Sequence, residues 1–231
     1  MKTTRALLLI AVSTFCICNN IDAQKLIHIK GQKGLFYSNI SDLEKQQNAE
    51  LGFYAFTPHD TIASIGAQSC NWEAAYAAVN DSLFFYLEDI DTAWCNPQQA
   101  ELAWQYYSAL KKQPLTSGYA VVTGTENTTN LPANSCNKIL ITNSFHEFTQ
   151  PAAMLADIAG KLKPGGILFI DEVMARYSGE LHVGCKKRLY LETELIDILA
   201  KNGFAYKNSV TLALYKKQPG RKLFAFTHTS G

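Results

Sequence analysis

Apolar and polar positions follow one another along the chain in blocks that predict strands and helices in turn. The strand-like runs are continuously apolar and rich in β-branched or aromatic residues, as is typical of a sheet covered on both faces. They lie at 61–66, 82–91, 118–124, 138–143 and 167–173. Between them, apolar or alanine-rich stretches with helical spacing predict helices at 71–80, from 96 onwards and from 151 onwards. This alternation indicates parallel strands joined by helices.

Local signals mark where several of these helices begin. Ser41 and Glu44 have the spacing of a capping box and predict a leading helix over 41–55. Asn96 before Pro97 combines an N-cap residue with a first-turn proline, and Pro151 opens the next helix in the same way. The motif "KPGG" predicts the end of that helix before the strand at 167–173.

The C-terminal part predicts one more helix and two further strands. The helix covers 191–202 and ends at Gly203, and the strand-like runs lie near 207–215 and 221–228 with a "QPG" turn between them. The whole pattern predicts an α/β fold. We expect a doubly wound, mostly parallel seven-stranded sheet with helices on both faces and an antiparallel C-terminal hairpin.

The first residues resemble an export signal. Lys2 and Arg5 precede an apolar run over 6–18, and Ala23 closes the polar stretch that follows. The apolar run is shorter than the roughly 20 residues that a membrane-spanning helix needs. We therefore expect a signal peptide over 1–23, a single domain over 24–231, no stable membrane span after cleavage, and export to the periplasm or the extracellular space.

The charge balance excludes one class of partner. The chain carries 21 basic and 20 acidic residues, and removal of residues 1–23 leaves equal numbers of the two. Basic residues form no block longer than a short group such as 186–188. A nucleic-acid-binding surface needs a concentrated positive charge, so DNA and RNA are not expected as partners.

Four cysteines remain after residue 23: Cys70, Cys95, Cys136 and Cys185. They are widely spaced and contain no CxxC pair, so no metal site is expected from them. Cys70 and Cys95 each follow one of two neighbouring predicted strands and could therefore meet. A disulfide in an oxidising compartment and two buried free thiols both remain open.

Three segments resemble the class I S-adenosylmethionine-dependent methyltransferases. The first is "IASIGAQSCNWEAA", at the place of the family's cofactor turn, and the second is the acidic strand end "LEDID". The third is "NKILITNSFHEFTQPAAMLADIAGKLKPGGILFIDE", at the place of the fourth strand, the following helix and the fifth strand. The resemblance covers nearly all of the chain after residue 23. It implies a Rossmann-like methyltransferase fold, S-adenosyl-L-methionine as cofactor and a small-molecule acceptor.

The cofactor turn departs from the family pattern, which is acidic-x-Gly-x-Gly-x-Gly. Ser64 stands at the acidic position, Gly66 is retained, and Gln68 and Cys70 replace the other two glycines. Glycines let backbone amides approach a ligand closely, whereas these side chains take up space. The resemblance implies that Ser64, Gly66 and Gln68 contact the cofactor in a reshaped turn.

Other positions are matched to the cofactor through the same resemblance. Glu88 stands where the family binds both ribose hydroxyls, a role suited to an acceptor-only carboxylate. Asp89 and Asp91 are alternatives for this role. A third alternative is that the acidic strand end is only solvated and binds no ligand. Thr125 and Glu126 follow the third strand, where the family often presents an acid to the adenine amino group.

The segment after the fourth strand corresponds to the family's acceptor pocket. Asn143 belongs to the cofactor side, and His146 and Glu147 are the candidate catalytic residues, with His146 as a general base near neutral pH. Alternatively, "SFHEF" only caps and packs the next helix. His182 and Tyr190, in the insertion after the fifth strand, could line the same pocket.

Two classes of function follow from this sequence. The first is a methyltransferase, and the second is an exported, non-catalytic binding protein that kept the fold and lost the cofactor. A nicotinamide-dependent oxidoreductase ranks third because the GxGxxG turn is absent. No hydrolase elbow, HExxH motif or phosphate loop occurs in the chain, and the remaining histidines are expected to be structural: His28, His59 and His228.

Overall fold

The computed structural model describes residues 37–212 and 220–229, so the predicted signal peptide and His28 lie outside the described residues. The helices are α1 (Ile40–Tyr54), α2 (Asn71–Val79), α3 (Pro97–Lys111), α4 (Pro151–Lys161) and α5 (Glu192–Lys201). The strands are β1 (Thr61–Ile65), β2 (Phe84–Asp89), β3 (Gly118–Thr123), β4 (Cys136–Thr142), β5 (Leu162–Val173), β6 (Phe204–Thr211) and β7 (Arg221–His228).

The strands form a seven-stranded sheet in the order β3-β2-β1-β4-β5-β7-β6. The first five are parallel to one another, and β7 is antiparallel to both β5 and β6. The prediction of a doubly wound α/β sheet with an antiparallel hairpin is confirmed. From β1 the strand order runs to one side of the sheet through β2 and β3 and then to the other side from β4 onwards, so the switch point lies between β1 and β4. In open α/β sheets a crevice for ligands forms at such a switch point, beyond the carboxyl ends of the strands.

Each face of the sheet is buried beneath helices. Ile62, Leu87 and Phe169 belong to the core that contains the alanines of α2, whereas Ile65 and Ile141 belong to the core beneath α4 and α5. Successive residues of a strand point to opposite faces, so burial on both sides explains why the parallel strands are apolar throughout. The core thereby fixes the strand tips that surround the crevice.

Two predictions about helix ends were wrong in detail. The N-cap of α1 is Asn39, whose side chain accepts a 2.8 Å hydrogen bond from the amide of Asp42, so Ser41 and Glu44 do not form a capping box. The "KPGG" motif does not separate α4 from β5, because β5 begins at Leu162 and includes the motif. The pairing of β5 with β4 is irregular there, between Cys136 and Lys138, which is how the strand accommodates a proline and two glycines.

Within the described residues, no helix is both long and apolar enough to cross a membrane.

Candidate functional site

A cavity of about 370 Å³ opens at the carboxyl ends of β1, β2 and β4. The segments after these strands and after β3 supply its walls. The lining includes eight of the ten predicted site residues: Gly66, Gln68, Glu88, Asp89, Thr125, Glu126, Asn143 and Glu147. The other two, Ser64 and His146, are buried outside the lining.

Glu88 is the buried acid of this cavity. It is 1% exposed, and its Oε1 atom has no hydrogen-bond partner among the described residues. Burial, together with the neighbouring Asp89 carboxylate, raises the pKa of Glu88 to about 8. A buried polar atom without a partner is unfavourable unless something else satisfies it. Oε1 of Glu88 is therefore available to accept a hydrogen bond from a ligand in the cavity.

Asn143 offers a second unsatisfied acceptor on the β4 side. Its side-chain Oδ1 atom is buried and has no hydrogen-bond partner in the described part of the chain. Its backbone amide donates to the backbone carbonyl of Asp171 at 2.6 Å. The residue has φ +51°, a left-handed conformation that asparagine tolerates better than most residues. The backbone thus fixes the place of the Asn143 side chain at the cavity wall.

Gly66 is the single glycine of the turn, and the fold requires its backbone conformation. Its φ is +79°, and a Cβ at this position would lie 2.9 Å from the Cβ and Oγ of Ser144. Ser144 in turn donates to the carbonyl of Ile65 at 3.0 Å. The tips of β1 and β4 are therefore in close contact at Gly66.

Gln68 and Cys70, the two residues that replace glycines of the turn, lie in different surroundings. Gln68 lines the cavity with φ +45°, and its amide donates to the Asp89 carboxylate at 2.9 Å. Cys70 lies behind the turn, fully buried, with its Sγ 3.7 Å from that of Cys95. Neither side chain fills the site, and the two cysteines do meet, as free thiols.

Ser64 replaces the family's acid but lies against another carboxyl group. Its hydroxyl donates to Oε1 of Glu73 in α2 at 2.5 Å, and both residues are buried. Burial raises the pKa of Glu73 to about 7. Glu73 lies nine residues after Ser64, so only helix packing reveals that a carboxyl group stands beside the turn.

Thr125 and Glu126 form the wall beyond β3. Oε2 of Glu126 accepts a 3.0 Å hydrogen bond from Thr149, which joins the β3 side of the cavity to the segment before α4. The Thr125 hydroxyl donates to Oδ1 of Asn127 and accepts from the amide of Thr128, both in the same loop. The cavity is thereby bordered by two loops held together at Thr149.

Sequence reasoning missed four apolar residues of the lining, which are Ile90, Trp94, Phe148 and Met154. Ile90 is 57% exposed although it is a large apolar residue between two aspartates. That position in "EDID" was the available signal, because an apolar side chain at an acidic strand tip suggests a ligand surface. The other three could not be distinguished from ordinary helix and loop packing.

His146 lies at the edge of the site with both ring nitrogens engaged. Nδ1 is 2.9 Å from the buried Glu172 carboxylate, and Nε2 is 3.3 Å from Sγ of Cys185. The His182 ring lies 4.7 Å from the His146 ring, centroid to centroid. Neither His182 nor Tyr190 lines the cavity. The role of His146 as a base remains a prediction.

Three further residues lie outside the cavity lining. Asn137 accepts hydrogen bonds from the Thr61 amide and from Lys163 at the opposite end of the sheet from the cavity. His228 packs against Phe204, with ring centroids 5.4 Å apart. His59 is exposed.

Known structures show the same architecture. A SAM-dependent methyltransferase from Aquifex aeolicus matches with a TM-score of 0.59 and 18% identity, over 90% of this chain and 99% of that chain. A Methanosarcina mazei SAM-dependent methyltransferase matches with a TM-score of 0.59 and 13% identity, over 76% and 94% of the two chains. At such identities the likeness shows the fold.

A third structure carries ligands. It is a Burkholderia thailandensis 1,6-didemethyltoxoflavin-N1-methyltransferase with bound 1,6-didemethyltoxoflavin and S-adenosylhomocysteine. It is 16% identical, with a TM-score of 0.57, over 83% of this chain and 78% of that chain. No curated protein sequence matches the chain.

The sheet order and the cavity at the switch point define a Rossmann-like α/β fold, which the chain shares with known methyltransferases. Residues 88–170 match the family model described as a methyltransferase domain. Together with the structural neighbours, this match supports the predicted class I S-adenosylmethionine-dependent methyltransferase family.

Proposed function

We propose that the chain binds S-adenosyl-L-methionine in this cavity and transfers its methyl group to a small-molecule acceptor. The observation that carries the proposal is the unsatisfied, buried Oε1 of Glu88 at the tip of β2. A ribose presents two neighbouring hydroxyl donors, which a carboxylate can accept together. Asn143 Oδ1 supplies a further acceptor across the cavity.

The remaining lining also suits an adenosyl ligand. Ile90, Trp94, Phe148 and Met154 offer apolar surface for an adenine ring, and Glu126 is placed to accept from its amino group. When bound, the cofactor supplies an electrophilic methyl group. The protein then needs chiefly to orient the acceptor, which we place near Asn143 and Glu147.

The alternative of a fold that has lost its ligand site has no support from the geometry. A cavity filled by the side chains of Gln68 and Cys70 would have supported it, whereas the cavity is open beside Gln68 and Cys70 is buried outside the lining. The fold alone does not decide the reaction, since the cyclase SpnF also shares it, with a TM-score of 0.56 and 14% identity.

The test is calorimetric titration of the purified chain with S-adenosylhomocysteine, alongside Glu88→Gln and Asp91→Asn. Glu88→Gln keeps the shape of the side chain and removes its charge, so we expect affinity to fall at least about tenfold without unfolding. Asp91→Asn is the matched control, because Asp91 also lines the cavity and was the alternative acid. Absence of binding by the unmodified chain would refute the proposal, and a larger loss in Asp91→Asn would reassign the acid.

The acceptor class needs a separate experiment. The chain is incubated with methyl-labelled cofactor and either the small-molecule or the macromolecular fraction of a cell extract. We expect label in the small-molecule fraction. Label found only in protein or nucleic acid would contradict the proposed acceptor class.

We further propose that residues 1–23 direct export and are removed. The support is the basic start, the short apolar run and Ala23. The intact mass of the protein recovered from the envelope or the medium should correspond to a chain that begins at Gln24. An uncleaved chain retained in the cytoplasm would contradict export.

A further inference from the structure

The segment between β5 and α5 brings two potential metal ligands to a third one beneath it. His146, His182 and Cys185 each contribute one atom, and these atoms lie within 4.8 Å of one another. The cluster is separate from the residues that line the cavity. His182 and Cys185 have an H-x-x-C spacing, which a search for cysteine pairs does not detect.

The two sulfur–nitrogen separations in the cluster suit a tetrahedral ion. Sγ of Cys185 is 3.3 Å from Nε2 of His146 and 3.1 Å from Nδ1 of His182. Ligand atoms of a tetrahedral zinc ion, with zinc–nitrogen bonds of about 2.0–2.1 Å and zinc–sulfur bonds of about 2.3 Å, lie about 3.5 Å apart. The two ring nitrogens form the third pair and lie within 4.8 Å of each other, so binding of the ion would bring them together by up to about 1.3 Å.

A hairpin holds the two ligands of the segment on the same side. The amide of His182 donates to the carbonyl of Lys187 at 2.7 Å, and Lys186 donates back to His182 at 3.0 Å. Leu181 and Arg188 form an antiparallel bridge just outside this turn. The Cys185 amide donates to Nδ1 of His182 at 3.4 Å, so Nδ1 is an acceptor, and its single lone pair would bind the ion in place of this hydrogen bond.

The third ligand is oriented by a buried carboxylate. Glu172 accepts from the amides of His146 and Val173, and its Oε1 lies 2.9 Å from Nδ1 of His146. Both side chains are fully buried. A carboxylate that fixes one ring nitrogen while the other faces a metal is a recurring arrangement, because it sets the tautomer and strengthens the ligand.

We propose that His146 Nε2, His182 Nδ1 and Cys185 Sγ bind a divalent zinc ion. Among the described residues only these three ligand atoms cluster, and the exposed position of Cys185 leaves the fourth place to a water molecule. On binding, the Cys185 thiol loses one proton to solvent and the two imidazoles bind as neutral bases. The ion fastens the exposed hairpin to the segment after β4, beside the place where the acceptor is expected.

The experiment uses the full chain, stripped with a chelator and kept reduced with a phosphine, and titrates it with Co²⁺ as a spectroscopic substitute for zinc. We expect one ion per chain, with a sulfur-to-cobalt charge-transfer band in the near ultraviolet and the visible bands of tetrahedral cobalt. Added zinc should displace the cobalt and abolish both signals.

The variants assign the ligands. Cys185→Ser should remove the charge-transfer band, and His182→Ala should weaken binding; both residues lie in the hairpin, away from the core. Glu172→Gln should weaken zinc binding about 10–100-fold. Cys136→Ala and His59→Asn, which alter a thiol and an imidazole elsewhere, should bind as the unmodified chain does.

Two outcomes would overturn the site. One is the absence of a thiolate–cobalt band in the folded, unmodified chain, and the other is a band that persists in Cys185→Ser. Because the readout is metal binding alone, it is independent of whether the chain binds S-adenosylmethionine.

Discussion

The carboxylate of Glu88 occupies space that exists only because residue 124 is a glycine. A Cβ at Gly124 would lie 1.7 Å from Oε1 of Glu88 and 3.1 Å from the carbonyl of Thr128. Gly124 directly follows β3, the strand paired with β2, so the neighbouring strand determines where the acid points. The glycine does not line the cavity, yet it shapes the ligand site through Glu88.

Gly124→Ala should therefore displace the Glu88 side chain and weaken binding of S-adenosylhomocysteine at least about tenfold, as loss of a charged hydrogen bond does. We expect the circular dichroism spectrum to remain that of the folded protein, because the backbone of Gly124 does not require a positive φ. Calorimetry measures the effect. Unchanged affinity would show that the position of Glu88 is not critical.

The raised pKa of Glu88 predicts that ligand affinity depends on pH. Only the ionised carboxylate accepts from both ribose hydroxyls, and the pKa is about 8 in the free protein. Affinity should rise by up to about tenfold per pH unit between about pH 6 and 8 and then level off. In Glu88→Gln this rise should disappear, and a rise that persists would place the titrating group elsewhere.

Stability of the free protein should show the opposite trend. The pKa values of Glu88 and Glu73 are about 8 and about 7, above the ordinary value of 4.5, so the folded chain holds protons that the unfolded chain has released. The contribution of these two groups to stability is then fully present below about pH 4.5, and above that pH it falls by up to about 1.4 kcal/mol per pH unit for each group until its folded pKa is passed.

Urea unfolding across this range measures the effect. Glu88→Gln should reduce the slope of stability against pH and should be more stable than the unmodified chain at about pH 8. Stability that increases from pH 5 to pH 8 in both proteins would contradict this prediction.

Gly66→Ala should destabilise the protein by about 1–3 kcal/mol, because alanine is strained at φ +79° and its Cβ meets Ser144. The matched control is Gly52→Ala, since Gly52 lies inside α1 with nothing within 4 Å of an added Cβ. That change should raise stability by about 0.8–1.0 kcal/mol. Equal effects in the two variants would mean that the turn is not constrained at Gly66.

Cys70 and Cys95 should form a disulfide when the chain is oxidised. Their sulfur atoms are 3.7 Å apart, and they lie 25 residues apart in the chain. Exchange with glutathione disulfide would form the bond and release two molecules of reduced glutathione. The hydrogen bond between the two thiols and their burial raise the pKa of Cys70, so we expect the reaction to be slow in the folded state.

Peptide mapping by mass spectrometry identifies the cross-link, and we expect an increase in stability of about 3 kcal/mol. The Cys95→Ser chain should show no such increase. Exclusive modification of the exposed Cys185 would show that the buried pair is closed to oxidants.

Most elements could be predicted because their signals are local. Asn96 and Pro97 begin α3 as expected, and the uninterrupted apolar runs gave the parallel strands within a few residues. The start of α1 was misassigned because Asn39, Ser41 and Glu44 all suit a helix N-terminus, and only the backbone geometry decides among them. The strand at 207–215 was placed too late, since β6 covers Phe204–Thr211.

The succession of strands and helices and the acidic tip at Glu88 follow from the amino-acid sequence, because periodicity and turn residues act over a few positions. Three contacts follow from the packing of the folded chain: Glu73 lies beside Ser64, Gly124 leaves room for Glu88, and Cys185 contacts His146. Those contacts join residues 9 to 39 positions apart. They arise from how helices and loops pack against the sheet, which no local pattern of residues records.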